Sequence, residues 1–344
     1  MINNSETKEI SAEFNRYPLK FFEKNNLIKN TCFNCGISFW HTTNRRLCGD
    51  NDCRRVEEKI PIKLATLNLP ADQIIHHFME YFSNERIPIR RASSVTRRGY
   101  HQFTCAGICA FRPLVHNPET LPVNTNKLVN AQYCFRFADQ EHVGQTNRHS
   151  SGFIMLGIHE FENSKNKFSS SWKEDIVEEL TNFFLHLGFE LDDLTFHASY
   201  WTDNHLCAGP AIEFFINGIE IGNVVMVSRE VNNISSNFVD VGIGLERLQG
   251  LFGHSSVYTN DVLNNNLRLI AVATKDFAYP GKSGLGFNIR KVLEEVINKK
   301  YSYEVLEPLM TVILSELSDT FGEDYKVVLP IFKQLYNEQT ARVS

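Results

Sequence analysis

The sequence predicts an α+β fold built on a mostly antiparallel sheet, with a small cysteine-rich module before it and a helical segment after it. Three observations predict this. Strand-like runs crowd residues 129–241 without regular alternation with helices, which argues against a doubly wound parallel sheet. Four of the eight cysteines cluster at Cys32, Cys35, Cys48 and Cys53. Beyond about residue 259 the apolar spacing turns helical. A chain of 344 residues has room for two or three domains, and the reading divides it into 1–60, 61–258 and 259–344.

The first stretch is polar and then rich in Phe and Lys, predicting a short helix over 12–24. The cysteine cluster follows as Cys32-Phe33-Asn34-Cys35-Gly36 and Cys48-Gly49-Asp50-Asn51-Asp52-Cys53. A C-x2-C knuckle, twelve intervening residues and a C-x4-C suit tetrahedral thiolate coordination of zinc. The glycines let backbone N–H groups turn back toward sulfur. Four thiolates close the coordination sphere, so such a zinc would be structural. The alternatives are a disulfide pair, disfavoured in a reducing compartment, or unliganded thiols. Cys105, Cys109, Cys134 and Cys207 lie in apolar surroundings and read as buried small hydrophobes.

Leu69-Pro70-Ala71-Asp72 reads as a helix start, and Ile74, Ile75, Phe78, Tyr81 and Phe82 then share one apolar face. A second helix is expected over 171–187, with Trp172, Ile176, Leu180, Phe183, Phe184 and Leu187 inward and Gly188 at its C′ position. Strands are expected over 129–137, 152–156, 194–199, 212–216, 220–227 and 238–241. Helices are expected over 266–273, 288–297, 305–317 and 327–335. Ser169-Ser170-Ser171 and Asn264-Asn265-Asn266 read as loops.

Composition narrows the function. Apolar residues at 42% and charged residues at 22% exclude disorder, collagen and coiled coil as the main architecture. No apolar run approaches the ~18 residues of a membrane span, and the polar N-terminus has no signal core, so a cytoplasmic location is expected. Lys+Arg at 35 against Asp+Glu at 40 gives a net charge of −5, which argues against a strongly basic nucleic-acid binder. Gly281-Lys282-Ser283 is not a phosphate loop, because the position that would need the first glycine holds Asp276. Two arginine sites stand out. Cys134-Phe135-Arg136-Phe137 ends a strand and is followed by Thr146-Asn147-Arg148-His149-Ser150-Ser151-Gly152-Phe153. Val239-Asp240-Val241-Gly242-Ile243-Gly244-Leu245-Glu246-Arg247 runs from a strand into a helix. Arginine suits bidentate contact with carboxylate or phosphate oxygens. The competing reading is exposed arginines in ordinary ion pairs.

These segments resemble motifs 2 and 3 of class II aminoacyl-tRNA synthetases, and within that class the archaeal form of the alanyl-tRNA synthetases. CFNCGISFWHTTNRRLCGDNDC (32–53) is similar to that form's N-terminal four-cysteine segment. TCAGICAFRPLV (104–115), FRFADQEHVGQTNRHSSGFIMLGIHEF (135–161), WTDNHLCAGPAIEFFINGIEIGNVVM (201–226) and VDVGIGLERLQGLFG (239–253) match the catalytic core in order. YPGKSGLGFNIRKVL (279–293) looks like the start of the helical tRNA-recognition region. The likeness covers about residues 25–335. It implies a six- or seven-stranded antiparallel sheet, flanked by helices, that cradles ATP and an amino acid. The amino acid carboxylate attacks the α-phosphorus, giving an aminoacyl-adenylate and pyrophosphate.

By the same resemblance, Arg136 grips the α-phosphate and the substrate carboxylate, Arg247 reaches the γ-phosphate, and Glu220 holds Mg2+. Arg148, His149 and Phe153 complete the ATP site, with Phe153 stacked on adenine. Asp240 receives the substrate ammonium. Trp201 and Met155 line the alanine side-chain pocket, and Asn223 and Gly242 complete the substrate site. Acceptor candidates are tRNA, or a carrier protein or small molecule if the chain is a free-standing adenylating paralogue. A non-catalytic nucleotide- or partner-binding module is a third reading; it has no chemical need for Arg136, Glu220, Asp240 and Arg247 together. Full-length relatives continue into an editing domain and a C-terminal domain, and a chain of this length is expected to lack both. The stretch 261–344 carries ten Lys/Arg and eleven Asp/Glu, so it has no basic stripe of the kind phosphate binding prefers.

Overall fold

The computed structural model describes residues 17–50, 53, 69–89, 91, 94–96, 103–120, 126–137, 140–144, 149–202, 208–228, 230–231, 234–235, 237–252 and 262–343. The expected domain boundaries near 60 and 258 lie outside these residues, as do Arg148 and Cys207. Nine strands form one sheet in the order β1-β2-β6-β7-β8-β11-β5-β4-β3. They are β1 (Ile28–Thr31), β2 (Ser38–His41), β3 (Ile87–Ile89), β4 (Lys127–Phe135), β5 (Gly152–Phe161), β6 (Leu194–Thr202), β7 (Ala208–Ile216), β8 (Ile219–Val227) and β11 (Phe238–Gly244). β9 (Glu230–Val231) and β10 (Ile234–Ser235) make a separate two-stranded ribbon. Every neighbouring pair in the large sheet is antiparallel except β3 with β4.

The six strands from β6 to β4 are the antiparallel core the sequence pointed to. The extra three are short. β1 and β2 flank the first cysteine pair and extend one edge, and β3 adds the other.

The two faces of the sheet separate by residue parity. Ile154, Leu156 and Ile158 of β5 and Val239, Val241 and Ile243 of β11 point to the core shared with the helices. Helix α2 (Ala71–Phe82) brings Ile74, Phe78 and Phe82 onto that face, and α4 (Trp172–His186) brings Ile176, Leu180, Phe183 and Phe184. Phe78 meets Phe183 edge-on with ring centroids 5.4 Å apart. Gly188 follows α4 with φ +88°, the left-handed C′ position the sequence assigned to it. On the other face lie Met155, Gly157 and His159 of β5 and Asp240, Gly242 and Gly244 of β11, in register with one another. A short 3-10 turn, Gly107–Phe111, running into α3 (Arg112–His116), covers part of this face. Helix α5 (Leu245–Leu251) leaves directly from β11.

Helices α6 (Val262–Lys275), α7 (Gly284–Asn298), α8 (Tyr303–Phe321) and α9 (Val328–Val343) pack together, and their inward residues belong to the same core. Three expectations change. Asn264-Asn265-Asn266 is helical, inside α6, because the buried Asn265 and Asn266 side chains find tertiary hydrogen-bond partners. Of the helix expected over 12–24, residues 12–16 lie outside the described residues, and the described part forms α1 (Leu19–Lys24), which follows Pro18. A residue before proline disfavours helical ψ, and proline itself fits a helix start. β5 continues to Phe161, since its last residues stay buried between β4 and β11.

Candidate active site

A cavity of about 140 Å³ opens on the non-helical side of the sheet centre. Its wall includes Arg136, His149, Phe153, Met155, Glu220, Asn223, Gly242 and Arg247, eight of the residues singled out from the sequence. Arg136 is the first residue after β4. Its N–H donates to Ser151 O at 2.8 Å, and its guanidinium lies over the Phe153 ring at 5.1 Å. Nε donates to Cys105 O at 2.8 Å, while the terminal nitrogens carry no hydrogen bond among the described residues. The result is a cation fixed at one edge and open at the other.

The strand opening at Ser150–Gly152 is itself held. Asn265 Oδ1 of α6 accepts from Ser150 Oγ at 2.6 Å, Ser151 N at 3.1 Å and Gly152 N at 3.3 Å. His149, just before it, lines the cavity with its ring 5.1 Å from that of His142.

Arg247 sits in the first turn of α5. Its Nη1 donates to Glu220 O at 2.9 Å and Glu220 Oε2 at 3.1 Å. Glu220 reaches this face through a bulge. β7 and β8 pair Phe214 with Gly222 and then Phe215 with Glu220, so the extra residue Ile221 turns Glu220 to the side of Glu213 and Asn223. Burial raises the carboxyl of Glu213 above its ordinary value, with Ser199 opposing and the negative charges of Glu220 and Asp50 adding to the rise. A carboxylate on the cavity wall offers hard oxygen of the kind Mg2+ takes alongside substrate phosphates, so Glu220 fits that ion.

Glu246 stands one residue before Arg247 and also lines the cavity, almost wholly buried. Its two oxygens accept the Ile154 N–H at 3.0 and 3.1 Å, and Arg268 Nη1 lies 3.4 Å away. Burial lifts its carboxyl to about 7, against the opposing pull of Arg268 and the Ile154 N–H.

Asp240 is on the same face as Gly242 but does not line this cavity; its Oδ1 lies 3.0 Å from His159 Nδ1. Met155 lines the cavity with its sulfur accepting Gly107 N–H at 3.3 Å, and a side chain at Gly242 would press within 3.0 Å of that sulfur. Trp201 also stays outside the cavity, at the end of β6, packed against a small apolar cluster that includes Phe111, Ala211, Val225 and Phe238. Sequence reasoning passed over Glu213, Glu246, Asn265 and His159. Of these, His159 carried a signal, since it shares strand parity in β5 with Met155, a residue already chosen.

The four clustered cysteines bring their sulfurs within 4.8 Å of one another. Burial alone would raise the Cys32 thiol, but N–H groups of Cys35, Cys48 and Asn34 bring it down to about 6. All four are free thiols, so the disulfide alternative is set aside, and the set fits a thiolate-held zinc. Besides the pairing of β2 with β6, the second cysteine pair meets the sheet at Cys48 O, 3.0 Å from His197 Nε2. Of the scattered cysteines, Cys109 and Cys134 are buried and Cys105 is half-buried.

Residues 73–244, half of the chain, match the family model described as tRNA synthetases class II (A). The chain belongs to the class II tRNA synthetase family. The alanine–tRNA ligase of Methanococcus aeolicus is 32% identical to this class II chain over 244 residues, covering 67% of it and 26% of that protein. The alanine–tRNA ligase of Ignicoccus hospitalis is 31% identical over 248 residues, covering 68% and 27% respectively. The chain thus spans about a quarter of the length of these curated relatives. Among solved structures, a pyrrolysyl tRNA synthetase of Desulfitobacterium hafniense aligns over 56% of this chain and 75% of its own, with 13% identity and a TM-score of 0.37. No described helix is long and apolar enough to cross a membrane.

Proposed function

We propose that the chain activates a small amino acid, alanine, with ATP, forming an aminoacyl-adenylate and pyrophosphate and passing the aminoacyl group to tRNA. The observation that carries this reading is the meeting of Arg136, Phe153, Glu220 and Arg247 on one cavity wall, beside Met155 and Gly242. The relatives named as alanine–tRNA ligases support the choice of amino acid.

The reaction brings two anions together and builds charge on the α-phosphate. Cations fixed in advance stabilise that charge without reorganising. Arg136 supplies one: its Nε is anchored on Cys105 O, which leaves its terminal nitrogens to take the substrate carboxylate and α-phosphate. Arg247 supplies another at the far end of the triphosphate. Mg2+ entering with ATP would be held by Glu220 and would screen the phosphate charge. Phe153 offers a flat face for adenine. Asp240, on the same face beside the cavity, takes the ammonium, and Met155 on the wall closes the space beyond the β-carbon, with Trp201 in the apolar cluster outside it. The pocket of such a site discriminates against a missing methylene by only ~1–3 kcal/mol, so glycine should be used less well than alanine rather than refused.

The test is an amino-acid-dependent ATP–pyrophosphate exchange panel, run without tRNA. Alanine should give the highest kcat/KM. Arg136→Ala and Arg247→Ala should each lower it by ~100-fold or more with the fold retained, the scale of one preorganised charge contact. Near-wild-type exchange in both variants, or preference for a large or charged amino acid, overturns the reading.

A further inference from the structure

Farther along β5 and β11, the strands that carry Met155 and Gly242 of the cavity wall, a buried polar cluster has a different use. His159 is completely buried. Its Nδ1 lies 3.0 Å from Asp240 Oδ1, and its Nε2 lies 3.1 Å from Asn130 Oδ1. The three residues come from three adjacent strands, β11, β5 and β4. Phe111 of the covering 3-10 turn packs over the ring at 5.0 Å.

The sequence leaves room for this cluster at two glycines. A Cβ on Gly157 would fall 2.4 Å from Asn130 Oδ1 and 2.6 Å from His159 Nε2. A Cβ on Gly107 would fall 3.1 Å from the same Nε2. Real Cβ atoms do not tolerate the first two distances, so β5 can hold the ring between Asn130 and Asp240 only with glycine at 157.

We infer that His159 is a positioning residue for the substrate ammonium: its Nδ1–H, with the ring fixed by Asn130, aims the Asp240 carboxylate into the amino-acid pocket. The inference rests on the role proposed above for Asp240. A neutral imidazole has one N–H and one bare nitrogen. Asn130 Nδ2 is buried and has no partner among the described residues. Turning that amide over brings Nδ2–H to Nε2, which fills the bare nitrogen and leaves the proton on Nδ1. Nδ1 in turn has no well-aligned hydrogen bond to any described group, and Asp240 Oδ1 is the acceptor within reach. Such contacts in empty sites are commonly off-line and straighten when substrate arrives. The donor has a specific job here: it ties one carboxylate oxygen in place and leaves the other oxygen for the ammonium.

The experiment measures alanine-dependent exchange kinetics for the full chain and for His159→Phe, His159→Asn and Asp240→Asn, with thermal melts alongside. His159→Phe keeps a ring of similar size but has no N–H. His159→Asn returns a donor at the δ position. The expected result is a rise of about ten-fold or more in the alanine KM for His159→Phe, the scale of one hydrogen bond to a charged group. The ATP KM should stay within about two-fold, and His159→Asn should recover most of the alanine KM. If His159→Phe does not fold, His159→Gln takes its place, because its donor sits at the ε position and should fail like Phe. An unchanged alanine KM in the donor-less variant overturns the inference, with the proposed function intact. Equal rises in the alanine and ATP KM values, unrescued by Asn, also overturn it, as a packing role alone would give that. Absence of exchange in the wild type with every amino acid, or full activity of Asp240→Asn, overturns the proposed function and this inference together.

Discussion

Gly222→Ala tests how closely the two central strands must approach. Gly222 lies in β8 opposite Ile243 of β11. A Cβ there would sit 2.2 Å from Gly242 O, 2.8 Å from Ile243 Cα and 3.0 Å from the Gly242 carbonyl carbon. All three atoms are main chain, so no rotamer change relieves the clash. Restoring ordinary contact distances means parting the strands by roughly 1 Å. Overpacking of this kind costs ~1–3 kcal/mol, and each ladder hydrogen bond stretched beyond use adds ~1 kcal/mol. The sum is about 3–5 kcal/mol, or on the order of 10 °C in melting temperature for a chain this large. The same movement carries α5 away from β8 and breaks the 3.1 Å contact between Arg247 and Glu220. Gly250→Ala is the matched control. Gly250 lies in α5, and a Cβ there meets nothing within 4 Å. Replacing that helical glycine should stabilise by ~0.5–1 kcal/mol. Thermal and urea melts of both variants beside the wild type read the outcome. Gly222→Ala melting within about 2 °C of wild type, together with a lowered Gly250→Ala, would refute the argument.

Metal analysis of the purified chain should find about one zinc per molecule, and chelation should speed amide exchange in β1 and β2 before β8 and β11; no zinc, with four freely reactive thiols, would count against the site. For Glu246 the sign follows from its folded carboxyl near 7 against an ordinary 4.5. Between those values the folded chain binds the extra proton, so this group's stabilisation is complete below about pH 4.5 and lost as pH rises through about 7. The stability difference between wild type and Glu246→Gln, measured by urea denaturation from pH 4.5 to 8, should shift against the wild type by on the order of 3 kcal/mol. A difference that stays flat across that range would contradict it.

How far the sequence reached depended on where each signal resides. Arg136, Arg247 and Phe153 were legible because they stand in short continuous motifs beside strand ends and glycines. The helix face of α4 was legible because an amphipathic stripe needs no long-range information. Glu220 was picked from resemblance alone, and alternation counted from Asn223 would have turned it to the wrong face. Only the Ile221 bulge puts it in the cavity, and a bulge has no local signature here. The Asn264–Asn266 run misled because polar amides favour loops until tertiary partners exist, and those partners, Ser150 and Glu295, lie far away in sequence. Glu246 and Arg268 were invisible for the same reason, since a buried ion pair is defined only once α5 and α6 have met.

The knuckle also governs how the protein behaves in a crowd. β2 covers the rim of β6 through Phe39 opposite His197 and Trp40 opposite Phe196. Outside it runs β1, four residues long, mostly exposed and carrying Lys29. Short length and a lysine are the usual deterrents to strangers adding a strand. Were a zinc held by these thiolates lost and β1 and β2 to peel away, the new rim would be β6, nine residues long, with the main chain of Phe196 and His197 newly unpaired. That rim is a template for edge-to-edge growth. Scarcity of zinc would therefore reveal itself first as precipitation of the protein, before any change in turnover by the molecules still folded.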